Sequence, residues 1–147
     1  MAVIQKTIFV PYTPEQMFRL VDAIESYPEF LLWCSRAQEV TRTATEVTAS
    51  LTISHCGLSK TFTTHNTLFF PNKIVMELVD GPFKNFHGVW EFNERGSVST
   101  EVSLHLQFDF ESKLVALAFG GIFNKVANQL VDCFLQRANE VYSLEKK

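Results

Sequence analysis

The chain has 147 residues, 46% of them hydrophobic and 20% charged, without a low-complexity break, which predicts one folded domain over residues 1–147 and excludes a disordered chain. Fourteen phenylalanines are a heavy aromatic load for this length, so either the core is wide or some aromatic surface faces something other than core. A formal charge of −3 supplies no basic field, which argues against DNA as a partner and against capture by anionic lipid through charge alone.

In chain order, Val3 to Val10 is rich in β-formers and ends at Pro11. Thr13 is placed to cap a helix with Pro14 at its first position and Glu15 in its first turn, and Met17, Phe18, Val21 and Ile24 mark its apolar face. Tyr27-Pro28 is expected to break this helix, with Glu29 to Trp33 forming a second short helical turn.

Strands then take over. Val47, Ala49, Leu51 and Ile53 alternate with polar neighbours, the period of a strand with one dry face. Further strands are predicted near Ser35 to Arg42, Leu58 to Phe70, Lys73 to Val79 and Asn85 to Glu94. Cys56-Gly57, Pro71-Asn72, Asp80-Gly81-Pro82 and Arg95-Gly96 separate them, all turn chemistry. The last strand, Ser97 to Phe110, carries Val98, Val102, Leu104, Leu106, Phe108 and Phe110 on one face, as a one-side-wet antiparallel sheet requires. The gaps are too short for crossover helices, so the sheet is a meander.

After Ser112 the period becomes helical: Phe119, Phe123, Val126, Leu130, Phe134, Ala138 and Val141 recur every three or four residues. From Leu114 to Leu144 this helix would run about 45 Å, close to the length of the last strand at about 43 Å. A long strand in a twisted sheet curves, and one helix laid in its concave side is too narrow to fill the trough. The expected architecture is therefore α+β and of the helix-grip type. A curved antiparallel sheet of about seven strands wraps a long C-terminal helix, two short helices follow the first strand, and an apolar cavity lies between sheet and helix.

Certain segments carry a family resemblance: Glu25-Ser26-Tyr27-Pro28-Glu29-Phe30-Leu31-Leu32-Trp33-Cys34, Thr63-Thr64-His65-Asn66-Thr67-Leu68 and Leu78-Val79-Asp80-Gly81-Pro82-Phe83-Lys84. Gly88-Val89-Trp90-Glu91-Phe92 and Phe108-Asp109-Phe110 add to it. Together they resemble the coenzyme Q-binding START-like proteins of the polyketide cyclase/dehydrase superfamily. Leu32 stands where Pro often precedes Trp-Cys, and His65 where Arg is common before Asn-Thr-Leu. The resemblance implies binding of ubiquinone or a related polyisoprenoid lipid by a chaperone or carrier that supports respiration. It also implies an alternative, a bacterial branch that includes a toxin blocking association of ribosomal subunits. Ubiquinone would be a bound ligand and not an obligatory cofactor.

On that reading the residues expected around the ligand are Phe30, Trp33, Phe62, Thr64, Asn66, Leu68, Met76, Phe83, Phe86, Trp90 and Leu106, with Phe119, Phe123, Val126 and Leu130 from the helix. Phe62, Thr64, Asn66, Leu68 and Phe70 share one strand face by parity. Asn66, with Thr64, would offer a hydrogen bond to a quinone carbonyl; the alternative is that Asn66 satisfies a neighbouring strand or turn group. The aromatic residues are equally readable as plain core.

Leu114 to Phe123 is apolar all round, which asks for a second apolar neighbour. Its outer side, with the Gly81-Pro82-Phe83 loop, is a candidate for transient contact with the inner face of the cell membrane; burial of that side by loops is the alternative. The run is about half the length a spanning helix needs. Cys34, Cys56 and Cys133 are odd in number and without metal-ligand spacing, and Met1 to Pro11 does not read as an export or import signal, so a cytoplasmic home is expected. His55, His65, His87 and His105 are scattered over different strands without metal-ligand spacing. No nucleophile motif stands out, so no enzyme is expected; Asp80, Glu77 and His87 are the first candidates for any reaction.

Overall fold

The computed structural model of the chain describes residues 2–55, 57–96 and 99–145, with side-chain surroundings as far as Ser143. Cys56, Ser97 and Val98, on which a turn and the start of the last strand were expected, lie outside the described residues.

Strand β1 (Ala2–Val10) is followed by helix α1 (Pro14–Asp22). The α1 start is a complete capping box: the Thr13 hydroxyl accepts from the Gln16 N–H at 3.1 Å and the Gln16 side chain accepts from the Thr13 N–H at 2.9 Å. Met17, Phe18 and Val21 are buried as its inner face.

The next segment corrects an expectation. Helix α1 stops at Asp22, and the second helix is a 3-10 turn, Ile24–Glu29, that runs through Tyr27-Pro28 instead of starting after it. In i to i+3 pairing the missing Pro28 N–H removes a single bond. The Tyr27 carbonyl then closes the turn by accepting from Phe30 and Leu31 at 3.2 and 2.9 Å.

Six strands follow: β2 (Cys34–Arg42), β3 (Glu46–His55), β4 (Leu58–Phe69), β5 (Lys73–Asp80), β6 (Phe83–Glu94) and β7 (Thr100–Phe110). Each pairs antiparallel with the next, and β1 closes the far side on β7, giving the order β1-β7-β6-β5-β4-β3-β2. On β7 the burial alternates along its length, with Val102, Leu104, Leu106 and Phe108 fully inside, so the period-two pattern became one dry face.

Helix α2 (Lys113–Glu145) lies in the concavity. Its length and apolarity alone would suit a membrane span, but Phe123, Ala127, Val131, Phe134 and Ala138 are buried as the stripe held by the sheet.

Its two halves are held unequally. Toward the C-terminus Tyr12 donates to Asn139 Oδ1 at 2.6 Å, Tyr142 donates to the Gln16 carbonyl at 2.8 Å and Arg137 pairs with Glu29 at 2.9 Å. Toward the N-terminus Ser112 caps the Val115 N–H at 3.1 Å, while Leu114 and Leu117 are 79% and 84% exposed.

Candidate ligand cavity

The void between sheet and helix is about 70 Å³. At roughly 10–15 Å³ for each water-sized occupant it holds about five such groups, about half the space of a dry cavity of roughly 150 Å³ that takes up benzene. Strands β3 and β4 supply Ala49, Leu51, Ile53, Phe62, Thr64 and Asn66; β5, β6 and β7 supply Met76, Phe86, Trp90 and Leu106. Helix α2 closes it with Phe123, Val126, Ala127 and Leu130, and the segment after α1 adds Ile24, Tyr27 and Trp33. No charged side chain among the described residues lines it.

One polar pair interrupts this apolar wall. Thr64 and Asn66, both buried and two apart on the inward face of β4, are joined by a bond from the Thr64 hydroxyl to Asn66 Oδ1 at 2.9 Å. Their cross-strand partners are Val47 and Ala49 on β3 and Met76 and Leu78 on β5, none of which has a polar side chain to offer. Among the described residues the Asn66 amide nitrogen has no hydrogen-bond partner. No fully buried side-chain nitrogen or oxygen among the described residues lacks a partner, so this nitrogen keeps some open surface on the void, where a water or a ligand can accept from it. Tyr27 makes no such offer, because its hydroxyl donates to the Val21 carbonyl, and burial raises its pKa far above the ordinary phenol range.

The residues expected around a ligand separate into two groups. Trp33, Phe62, Thr64, Asn66, Met76, Phe86, Trp90, Leu106, Phe123, Val126 and Leu130 line the void. Phe30, Leu68, Phe83 and Phe119 do not. Phe30 sits outside, edge-on to Phe134 at 5.4 Å and beneath the Arg137 guanidinium at 5.0 Å. Leu68 is buried in solid core. Phe83 stacks on Phe110 at 5.3 Å and meets Phe62, Phe86 and Phe123 edge-on or tilted, so it plugs one end of the trough. Its burial also removes it from the surface contact expected of the Gly81-Pro82-Phe83 loop. Phe119 points to a groove on the other side of α2. Phe70 leaves the strand face altogether: β4 ends at Phe69, and the Phe70 ring packs edge-on against Phe18 at 5.0 Å with Arg19 over its face.

Lining residues that the sequence reading left out are Ile24, Tyr27, Ala49, Leu51, Ile53 and Ala127. The three β3 residues had a signal, since they form the dry face next to β4. Ile24 and Tyr27 had none, because only the turn after α1 swings them inward.

The groups first in line for acid–base work are on the outside. His87 Nδ1 and Glu77 Oε1 are 2.7 Å apart on exposed side chains of β6 and β5. His65 likewise meets Glu46 at 2.8 Å, and His105 meets Gln5 at 2.7 Å. Among the described residues no group of His, Cys, Asp or Glu could hold a metal ion. Cys34 is buried and its pKa is pushed up to about 11 by desolvation.

A seven-stranded antiparallel sheet gripping one long helix over an apolar void defines the START-like helix-grip class. Within it the chain belongs to the family described as polyketide cyclase / dehydrase and lipid transport, whose pattern matches residues 10–135. The Escherichia coli K12 protein named ribosome association toxin RatA is 44% identical over 95% of this chain and 89% of its own length. The Schizosaccharomyces pombe mitochondrial coenzyme Q-binding protein coq10 is 25% identical over 94% of this chain and 87% of its own. In fold alone, a START superfamily protein from Mycobacterium smegmatis superposes with a TM-score of 0.79 at 17% identity, covering 95% of this chain and 98% of that one.

Proposed function

We propose that the chain binds a lipid with a carbonyl-bearing ring, of the ubiquinone type, as a carrier or chaperone and not as an enzyme. The observation that carries this reading is the Asn66 amide, buried beside Thr64 with no protein acceptor among the described residues, in a void otherwise walled by hydrocarbon. A plain fatty chain offers that donor no acceptor, whereas a ring carbonyl does, and a void of about 70 Å³ takes in a whole ring only once lining side chains such as Met76 and Leu130 shift. The likeness to a coenzyme Q-binding relative supports the same ligand class. The lining offers an amide and a hydroxyl, and the Glu77–His87 pair lies outside it, which favours binding over turnover. Such a ligand would be collected at the inner face of a membrane by a protein resident in the cytoplasm.

Trp33 and Trp90 both line the void, so a quinone bound there quenches their fluorescence. Saturable quenching by a ubiquinone with a short tail is the expected result, and none at soluble concentrations of the quinone contradicts the reading.

A second reading, association with a ribosomal subunit, is favoured by the 44% identity to a relative named as a ribosome association toxin. Co-sedimentation of the chain with dissociated subunits tests it.

A further inference from the structure

At about 70 Å³ the void is too small for a whole ring unless part of its wall gives way. The wall is not equally free to do so. Phe62 meets Phe83 and Phe86 at 5.7 and 5.8 Å, and Trp90 lies against Phe92 and Phe134 at 6.1 and 5.4 Å, so these rings are held by other rings. Asn66 is tied to Thr64. A shift in any of them disturbs closely packed neighbours.

Met76 is placed differently. On the inward face Asn66 stands opposite Met76, Met76 opposite Gly88 and Gly88 opposite Leu106, one row across β4, β5, β6 and β7. A Cβ built at Gly88 would lie 2.5 Å from Met76 Cε, so the end of the methionine lies over bare glycine backbone and fills the place of the missing side chain. Met76 is only partly buried, and its unbranched thioether chain changes shape at low cost. Leu130 is also partly buried, but it stands on α2 and not in the row of Asn66. Neighbouring strands lie about 4.8 Å apart, so Gly88 is about 10 Å from Asn66 along the row, enough for a ring bonded to the amide to lie across Met76 and Gly88.

We propose that Met76 is the specificity-determining residue of the cavity: a flat ring that accepts from Asn66 takes the space now held by the Met76 thioether over Gly88. The side chain at position 76 then sets how large a ring is admitted. This rests on the ring-binding reading above and adds to it the part of the wall that moves. A stiffer side chain there narrows the range of rings, and a smaller one widens it.

The methionine methyl groups supply a direct readout. Met17, fully buried on α1 and not part of the void lining, serves as an internal reference. With isotope-labelled methionine methyls followed by NMR, the tail-less ubiquinone headgroup is expected to shift the Met76 signal, identified by its loss in Met76→Leu, and to leave that of Met17 in place. Tryptophan fluorescence titration with the same compound gives the affinities. Met76→Ala is expected to bind at least about 10-fold tighter than wild type, because no side chain has to be displaced. Met76→Leu, similar in bulk but branched and less adaptable, is expected to bind more weakly than wild type. Headgroup binding with an unmoved Met76 signal, or an affinity of Met76→Ala no higher than that of wild type, overturns the assignment and leaves ring binding standing. Binding by Met76→Ala but not by wild type supports Met76 as the obstructing wall and overturns ring binding by the native cavity; no binding by either overturns both. If Met76→Ala does not fold, Met76→Leu decides: weaker binding supports the assignment, and unchanged binding overturns it.

Discussion

The Thr64 hydroxyl donates to Asn66 Oδ1 at 2.9 Å, which occupies the amide oxygen and leaves the amide nitrogen of Asn66, a residue that lines the apolar void, without a partner among the described residues. Two polar side chains two residues apart on an inward strand face thus present one donor. Thr64 holds the amide oxygen, and under the proposed function Asn66 is the group that a ligand would meet.

Asn66→Leu keeps the bulk and removes the donor. Affinity for the ubiquinone headgroup is expected to fall about 10-fold, the worth of one hydrogen bond in a dry site, and folding stability by about 1–3 kcal/mol, because the buried Thr64 hydroxyl loses its acceptor. Fluorescence titration beside urea unfolding checks both; an affinity equal to wild type contradicts the role given to Asn66.

Gly88→Ala tests the void from its wall. A Cβ at Gly88 would lie 2.5 Å from Met76 Cε and 2.7 Å from Leu106 Cδ2, the flexible ends of two lining side chains. Both side chains line the cavity, so a shift of their ends into it narrows the void. The variant is expected to fold, with a loss of about 1–3 kcal/mol from overpacking, and to bind no ring. Retained ring binding in a folded G88A protein contradicts this account.

Phe134 joins α2 to the short helix and the sheet. Its ring is 1% exposed and meets Tyr27, Phe30 and Trp90 edge-on at 5.4 Å each. Phe134→Ala is expected to cost about 3–5 kcal/mol in urea unfolding. A cost below about 1 kcal/mol would mean that α2 is not gripped as described.

Cys34 and Tyr27 set an alkaline limit. Burial pushes the Cys34 pKa from 9.0 up to about 11, and burial, then the Asp22 charge, raises that of Tyr27. Both folded-state values lie above the unfolded ones, so the protonated forms stabilise the fold. For Cys34 that contribution is complete below about pH 9 and is lost as pH rises toward 11. Thermal unfolding is therefore expected to weaken through this window, and Cys34→Ala to flatten part of the loss. An unchanged slope in the variant contradicts it.

Parity and helical spacing made the sheet, its inward faces and the α2 stripe legible in the sequence, because each residue's direction there is set by its own element. They could not tell which part of an inward face is filled. Leu68 and Phe83 point inward like Phe62 and Asn66 but are packed solid, since the placement of neighbouring aromatic rings decides where the trough is plugged. Phe70 failed for a local reason: the turn after Phe69 ends the alternation. Phe119 shares the apolar character of Phe123 but is four residues nearer the loosely held helix end, where the groove takes over from the cavity. Tyr27 entered the wall because a 3-10 turn continues through Pro28, which the usual helix-breaking role of proline concealed.

The most direct measurement is the mass of whatever the purified protein carries out of the cell, read by organic extraction and mass spectrometry. A quinone or related prenylated carbonyl compound present in wild type and lost in the Asn66→Leu and Gly88→Ala proteins is the predicted result. Wild type that carries nothing, and takes up no ubiquinone when offered it, would contradict the account and leave the chain to act through its outer surface.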